Sequence, residues 1–275
     1  MYKIVAKKEL TPNVKFFEVV APAVAHKSKP GQFVIIRATE KGERIPITIA
    51  GAHPEKGTID LYLAEVGKTS TQLGSFQVGD EILNLAGPLG NAVKAVNYGR
   101  ILCVGGGVFV GAMLYQVEAF KEAGNHVTTV LGFRNKDHVM LVEEAEALSD
   151  EVYVCTDDGS YGLNGMGVVE ELLDKERFDH VFTIGPTILQ KNLSELTKAR
   201  GIPITVNLFP IMVDGMGMCG ACRVTVGGST LFSCVDGPEF DGHQVDFDEL
   251  ISRMRVYNAQ EKIAMVVEKL RSEAQ

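Results

Sequence analysis

The sequence predicts an antiparallel β-barrel, then a doubly wound parallel α/β sheet, then a small C-terminal module built on cysteines. From residue 1 to about 97, short stretches of β-branched and aromatic residues recur between Gly and Pro turns, with little room for helix. From Tyr98-Gly99 onward, strand-like and helix-like stretches alternate, which is the pattern of a parallel sheet covered by helices. Beyond residue 210, three of the chain's five cysteines fall between Cys219 and Cys234. The predicted units are therefore 1–97, 98–210 and 211–275.

In the first unit, Val14–Val20, Gln32–Ala38, Ile45–Ala50 and Thr58–Glu65 read as strands. Pro30-Gly31, Glu40–Glu43 and Pro54–Gly57 separate them. A short helix fits Ser70–Phe76, and Gly87-Pro88-Leu89-Gly90-Asn91 reads as a turn. In the second unit, strands are expected at Ile101–Val104, Val127–Leu131, Val152–Cys155, His180–Ile184 and Ile204–Asn207. Helices are expected between them at Val110–Ala123, Val139–Leu148, Gly167–Leu173 and Ile188–Ala199. Residues Asp246–Gln275 read as two amphipathic helices, with Leu250, Ile251 and Met254, then Ile263, Val266, Val267 and Leu270, at helical spacing.

Composition narrows the function classes. With 27 Lys+Arg against 35 Asp+Glu and no basic run, the chain lacks the clustered cations that phosphate backbones require, so nucleic acid is not an expected partner. No apolar run approaches the roughly 20 residues of a membrane span, and the N-terminus lacks the apolar core of a signal peptide. An odd cysteine count with a tight cluster argues for a reducing compartment, and a cytoplasmic location is expected.

Five groups of residues carry chemistry. Arg44-Ile-Pro46-Ile47-Thr48 places an arginine and a hydroxyl on alternate strand positions, so both point to one face and can hold a diphosphate or a flavin edge. The plain alternative is a surface arginine beside a strand proline. Gly67-Lys68-Thr69-Ser70 offers amides and hydroxyls at a helix start, either to a phosphate or simply as a cap. Gly105-Gly106-Gly107 stands between a strand and a helix, where phosphates can approach the backbone, although it is not the G-x-G-x-x-G fingerprint and also suits a tight turn. Gly132-Phe133-Arg134, Asp157-Asp158-Gly159 and Gly185-Pro186 each follow a predicted parallel strand, at the edge where α/β sheets collect ligands.

The fifth group is Cys219-Gly-Ala-Cys222 with Cys234. Thiolates at this spacing bind a soft metal or an iron–sulfur cluster, but three are one short of four ligands. Asp214, five residues before Cys219, stands where a four-cysteine motif would place its first cysteine. A structural zinc is the alternative, yet there is one C-x-x-C and no second pair, and the nearest downstream histidine is His243. Unligated core cysteines, and Asp214 as a turn or cap residue before Gly215, remain the non-metal readings. Cys103 and Cys155 fall in apolar strands and read as small hydrophobes.

The succession R-x-P-I-T, G-K-x-S, G-P-L-G-N, GGG, T-D-D-G-S, G-P and a cysteine loop resembles the ferredoxin-reductase-like electron-transfer subunits over the whole chain. These include the flavin and iron–sulfur subunits of dihydroorotate dehydrogenases. They also include the small subunits of NADH-dependent reduced ferredoxin:NADP oxidoreductases, which share aspartate at the position of Asp214. The resemblance implies FAD on the barrel, along Arg44, Pro46, Ile47, Thr48 and Leu63, with its diphosphate at Gly67, Lys68 and Ser70. It implies NAD(H), or NADP(H), at Gly105, Gly106, Gly107, Arg134, Asp157, Asp158, Gly185 and Pro186, and a [2Fe–2S] cluster on Asp214, Cys219, Cys222 and Cys234. It further implies a larger flavin and [4Fe–4S] partner subunit, in a heterodimer that reaches ferredoxin and bifurcates electrons. Two departures stand out: Thr69 replaces a usual glycine, and Phe109-Val-Gly-Ala112 replaces a usual G-x-A-P, adding bulk where the nicotinamide would approach. No residue reads as a nucleophile or general acid, as expected where cofactors carry the chemistry. A dihydroorotate-oxidising assembly is the alternative enzyme reading, and a non-enzymatic module with a structural metal is the alternative of another class.

Overall fold

The computed structural model describes residues 2–273. The first sheet contains β1 (Tyr2–Thr11), β2 (Val14–Val20), β3 (Phe33–Arg37), β4 (Arg44–His53), β5 (Thr58–Ala64), β6 (Glu81–Ile82) and β7 (Asn84–Leu89). Helices α1 (Pro22–Ala25) and α2 (Lys68–Gly74) interrupt it. All its pairings are antiparallel, in the order β6-β1-β2-β5-β4-β3-β7. The two edge strands are separated in sequence by Leu83 alone, so the sheet curls until its edges meet, as a barrel does.

Strand alternation sorts the side chains of β3. Val34 and Ile36 point into the barrel core with Ile47, Ile49, Leu61 and Leu63, whereas Phe33 and Ile35 point outward into a separate cluster. The register sets Phe33 against Thr48 and Ile35 against Pro46. The outer face of β3 and β4 thus carries Phe33, Ile35, Arg44, Pro46 and Thr48.

The second sheet holds β8 (Arg100–Gly106), β9 (His126–Phe133), β10 (Glu151–Thr156), β11 (Leu163–Asn164), β12 (His180–Ile184) and β13 (Ile204–Asn207). Its helices are α3 (Phe109–Glu122), α4 (Val142–Leu148), α5 (Gly167–Lys175) and α6 (Thr187–Arg200). A hairpin of β14 (Arg223–Val226) and β15 (Ser229–Phe232) follows, then β16 (Glu239–Asp241), α7 (Phe247–Met254) and α8 (Asn258–Glu273). The order β11-β10-β9-β8-β12-β13-β16 is parallel up to β13, and β16 adds an antiparallel edge. Because β8 lies between β9 and β12, the winding reverses there, which makes the carboxyl ends of β8 and β12 a switch point.

Two sequence expectations need correction. The stretch Gly87–Asn91 is not simply a turn: Gly87, Pro88 and Leu89 finish β7, whose Leu89 pairs with Phe33. The expected helix start at Val139 is three residues early. A 3-10 turn occupies Lys136–His138 and Leu141 takes a left-handed φ of 60°, so α4 begins only at Val142.

Helix α3 ties the barrel to the parallel sheet. It packs on β4 and β5, and a Cβ on Gly111 would lie 2.3 Å from the ring of Tyr62 on β5. A ring cannot step aside as the tip of a lysine can. Gly111→Ala is expected to destabilise the protein by about 1–3 kcal/mol, the usual cost of overpacking. Gly167→Ala, which meets no atom within 4 Å, is the control and should unfold at the wild-type temperature or above.

Candidate functional site

The cysteine loop and the end of β7 meet on the outer face of β3 and β4. Phe33 and Ile35 share one apolar cluster with Met212, Cys222 and Cys234, edged by Leu89 and Phe232. The cysteine loop fits this wall closely: a Cβ on Gly215 (φ +73°) would sit 2.7 Å from Leu89 and 2.8 Å from Ile35. Gly90 (φ +74°) is similarly pinned between Phe33 and Pro238. The end of β7 clamps the other side, with the Asn91 amide donating to Gly237 O at 2.7 Å and its side chain to Val235 O at 3.2 Å. The Gly-Pro-Leu-Gly-Asn segment is therefore the seat of the cysteine module, a role that its residues alone did not disclose.

Within the loop the four candidate ligands form two pairs. Cys222 Sγ and Cys234 Sγ lie 3.2 Å apart and both residues are 2% exposed. The Gly217 amide donates to the Cys234 sulfur at 3.2 Å. Burial, reinforced by the neighbouring Cys222 thiol, pushes the Cys234 thiol up. Cys219 is exposed, and its amide donates to Asp214 Oδ2 at 2.6 Å while the Met216 amide donates to Oδ1 at 2.8 Å. Those bonds, Met216 first, hold the Asp214 carboxyl below the usual carboxylate range. Asp214 thus acts as a turn aspartate and keeps its anionic form beside Cys219.

This donor set suits iron–sulfur binding. Its three soft thiolates fall in one loop, with the Asp214 carboxylate held against the Cys219 amide. His243 is engaged elsewhere, its Nε2 lying 3.0 Å from Thr197 Oγ1.

On the barrel, Arg44 is exposed and Thr48 nearly buried on the outer face, with half-buried Pro46 between them. Ile47 and Leu63 point the other way, into the barrel core, so their side chains are packing residues. Ser70 Oγ accepts from the Val66 and Gly67 amides at 3.1 and 2.9 Å and donates to Gly67 O at 3.0 Å, so its hydroxyl shapes the turn. Lys68 opens α2 beside it, and Thr69 Oγ1 donates to Glu43 Oε2 at 3.4 Å.

The predicted nucleotide loops fall on one edge. Register aligns Gly105 with Leu131 and Ile184, Gly106 with Gly132, and Thr156 with Phe133, so Gly105–Gly107, Arg134, Asp157, Asp158, Gly185 and Pro186 all leave the carboxyl ends of adjacent strands. The Gly107 amide (φ +59°) donates to Gly132 O at 3.0 Å, which locks the glycine turn to its neighbour. Arg134, Asp157 and Pro186 are exposed, whereas Gly105, Gly106 and Gly185 are buried. Asp158 Oδ1 accepts from the Ser160 amide and hydroxyl at 3.0 and 2.6 Å, and so organises its own turn.

Two family descriptions match this chain: "Oxidoreductase FAD-binding domain" over residues 1–93, and "Iron-sulfur cluster binding domain of dihydroorotate dehydrogenase B" over residues 210–246. A dihydroorotate dehydrogenase B (NAD(+)) electron transfer subunit homolog of Thermotoga maritima is 47% identical over 264 residues, 95% of this chain and 93% of that protein. The chain belongs to this family of electron-transfer subunits. A probable electron transfer subunit of Methanocaldococcus jannaschii is 32% identical, with 87% of this chain and 88% of that protein covered. Among solved structures, one of NADH-dependent reduced ferredoxin-NADP oxidoreductase, a flavin-based electron-bifurcating enzyme, superposes with a TM-score of 0.92 at 46% identity over 96% of both chains. A ferredoxin reductase of a carbazole 1,9a-dioxygenase, at 21% identity and a TM-score of 0.65, shares the fold. This family member is thus an oxidoreductase subunit with an FAD-binding barrel, a parallel α/β sheet and an iron–sulfur binding loop. No helix among its described residues is long and apolar enough to cross a membrane.

Proposed function

We propose that this chain is the smaller subunit of an NADH-dependent reduced ferredoxin:NADP oxidoreductase, working in the cytoplasm. The observation that carries the reading is the shared outer face of β3 and β4: the strand pair that would hold the flavin also forms the wall on which Cys222 and Cys234 pack. When bound, a flavin exchanges hydride with a nicotinamide and single electrons with an iron–sulfur centre. The chain's residues supply placement. Arg44 and Lys68 offer charge to the FAD diphosphate, Ser70 holds the Gly67 turn, and Pro46 and Thr48 line the flavin. The loops at Gly105–Gly107, Arg134, Asp157, Asp158 and Gly185-Pro186 receive NAD(H), or NADP(H).

Asp214, Cys219, Cys222 and Cys234 would hold a [2Fe–2S] cluster, which would supply one-electron transfer there. Val213, Met216 and Met218 stand exposed around Asp214 and Cys219, Met218 at 82%. An apolar rim on a polar loop suits a protein partner, here the larger flavin and [4Fe–4S] subunit through which ferredoxin is reached. Residues 1–97, 98–210 and 211–275 are accordingly the flavin, nucleotide and cluster units. A second reading, service to a dihydroorotate dehydrogenase, draws on the names of the relatives; Asp214 favours the first.

The test is to purify the chain anaerobically with its co-expressed partner and mix it with NADH. Bleaching of the flavin absorbance, followed by reduction of the cluster, is expected. In the complex, two NADPH should pass four electrons, two to NAD(+) as hydride and one to each of two oxidised ferredoxins, and dihydroorotate should not replace NADPH as donor. Zinc in place of iron, or no response to NADH or NADPH, defeats the proposal.

A further inference from the structure

Glu239 sits where the barrel, the parallel sheet and the cysteine module meet, yet part of its carboxyl goes unanswered. It opens β16, and the register sets it opposite Asn207 at the end of β13. From the barrel, Gly31 comes so close that a Cβ there would lie 3.1 Å from Glu239 Oε1. Glu239 Oε1 and both amide atoms of the fully buried Asn207 have no hydrogen-bond partner among the described residues. An ionised carboxylate is costly in such a place, so burial pushes the group up to about 8.

The cysteine module holds this carboxyl near its own candidate ligands. The chain from Cys234 to Glu239 can span at most roughly 18 Å. A turn folds that length back, with the Asp236 amide donating to Phe232 O at 2.8 Å and Asp236 Oδ2 accepting from the Phe232 amide at 2.7 Å. Pro238, the neighbour of Glu239, flanks Gly90 opposite the Phe33 ring, and Phe33 packs with Cys222 and Cys234.

On its other side Glu239 lines a cavity of about 260 Å³. Lys94, Asp236 and Asp241 are the charged groups around it, and all three are exposed, so the cavity opens to solvent. Tyr98 lines it too and stacks on His180; burial holds the Tyr98 hydroxyl above its usual range and pushes His180 down to about 4, so both are neutral near pH 7. Helix α3 contributes Phe120 and the barrel Gly31, neither of which titrates. Protons thus have a way in to a carboxyl that no buried charge compensates.

We propose, resting on the iron–sulfur reading above, that Glu239 is a proton-uptake site coupled to the cluster: the electron that reduces the cluster draws one proton from solvent, through the cavity, onto the Glu239 carboxylate. One negative and one positive charge arrive together, so the net charge of the module is unchanged. The coupling is Coulombic. At an effective dielectric of about 20 and a separation of roughly 10–18 Å, the added electron holds the Glu239 proton about 5- to 15-fold more tightly. By reciprocity, the protonated form takes the electron more readily by the same factor. The carboxyl then titrates at about 8 with the cluster oxidised and at about 9 with it reduced, and uptake falls between the two.

The experiment is potentiometric titration of the flavin- and iron-loaded protein, purified with its partner, from about pH 6 to 10, with the cluster read by its own electron paramagnetic resonance signal. The wild-type potential should be level below about pH 7, fall between about pH 8 and 9, and level off again above. Glu239→Gln, fixed in the neutral state, should keep the low-pH potential throughout. Asp241→Asn, in the same cavity, should keep the wild-type profile. In wild type alone, the reduced-minus-oxidised infrared difference at about pH 8.5 should show a protonated carboxyl gained on reduction, which decides the matter even if Glu239→Gln fails to fold. A level wild-type potential, no gained carboxyl, or a glutamine variant displaced equally at every pH overturns the proposal, the last marking Glu239 as a structural residue. Should no reduced [2Fe–2S] signal form at any pH, the iron–sulfur reading falls and takes the proton site with it. Should the signal form with a pH-independent potential, only the proton site falls.

Discussion

Cys222→Ser is expected to empty the iron–sulfur site while leaving the flavin in place. The two sulfurs at 3.2 Å sit in a cluster with Phe33, Ile35 and Met212, and no other buried thiol is near enough to replace either. Serine offers a harder oxygen donor on a similar side chain, a poor exchange for a soft iron–sulfur centre. Iron and the cluster's visible absorbance should fall to background in Cys222→Ser and Cys234→Ser, whereas NADH should still bleach the flavin. Passage of single electrons to an artificial acceptor at the cluster should be lost. Cys155→Ala is the control: its sulfur lies in the parallel sheet, 3.5 Å from Leu131 O, and its loss should leave iron untouched.

The same series separates the two roles of Asp214. Asn at this position keeps an oxygen for the Met216 amide but removes the charge, so a turn-only aspartate predicts a wild-type spectrum for Asp214→Asn. A ligand predicts a changed spectrum and lowered iron content. Full iron retention in Cys222→Ser would refute the ligand assignment altogether.

The sequence showed the alternation of strand and helix from Arg100 to Asn207 clearly, because the central strands β8, β9 and β12 are buried on both faces and read as largely apolar runs. The cysteine spacing was equally plain. The docking of the cysteine loop was not legible, since it depends on which face of β3 carries Phe33 and Ile35 and on how far β7 extends through Gly87-Pro88. Proline at position 88 reads as a stop, yet at an edge strand its missing amide costs no ladder bond. The hairpin of β14 and β15 left a usable signal: Gly227-Gly228, both at positive φ, sits between β-branched residues as a two-residue hairpin turn. For Ile47 and Leu63, the family pattern gave the right strand but not which way a side chain points, which is set by the register with β3 and β5.

Glu239→Gln is expected to reshape the dependence of stability on pH. Glu239 pairs in register with Asn207 where the linker between the two sheets (residues 90–99), β13 and the barrel's Gly31 converge, beside a cavity of about 260 Å³. Its Oε1 and both amide atoms of Asn207 have no hydrogen-bond partner among the described residues. Burial pushes the carboxyl from an ordinary 4.5 up to about 8. The folded state then holds a proton that the unfolded chain releases, so stability from this group is full below pH 4.5 and is lost as pH rises toward 8.

His180 acts in the opposite sense. It stacks on Tyr98 at 4.1 Å, lies 2.9 Å from Thr205 Oγ1, and is pushed by burial from 6.5 down to about 4, with Asp241 pulling the other way. Its contribution is full above pH 6.5 and is lost as pH falls toward 4. Lys94 from the linker and Asp236 and Asp241 beside β16 are the other charges that line the cavity. Taken together, the two buried groups give a plateau between pH 4.5 and 6.5 with a fall on either side. Each proton carries at most about 1.4 kcal/mol per pH unit, so from pH 6.5 to 8 wild type should lose about 2 kcal/mol. Glutamine does not titrate, and the variant should hold its stability over that interval, its maximum moving to higher pH. Unfolding temperatures of the two loaded proteins, taken at one scan rate across pH 4 to 9, decide it: parallel curves above pH 6.5 would show that the Glu239 carboxyl is ionised in the folded protein and that its cavity is wet.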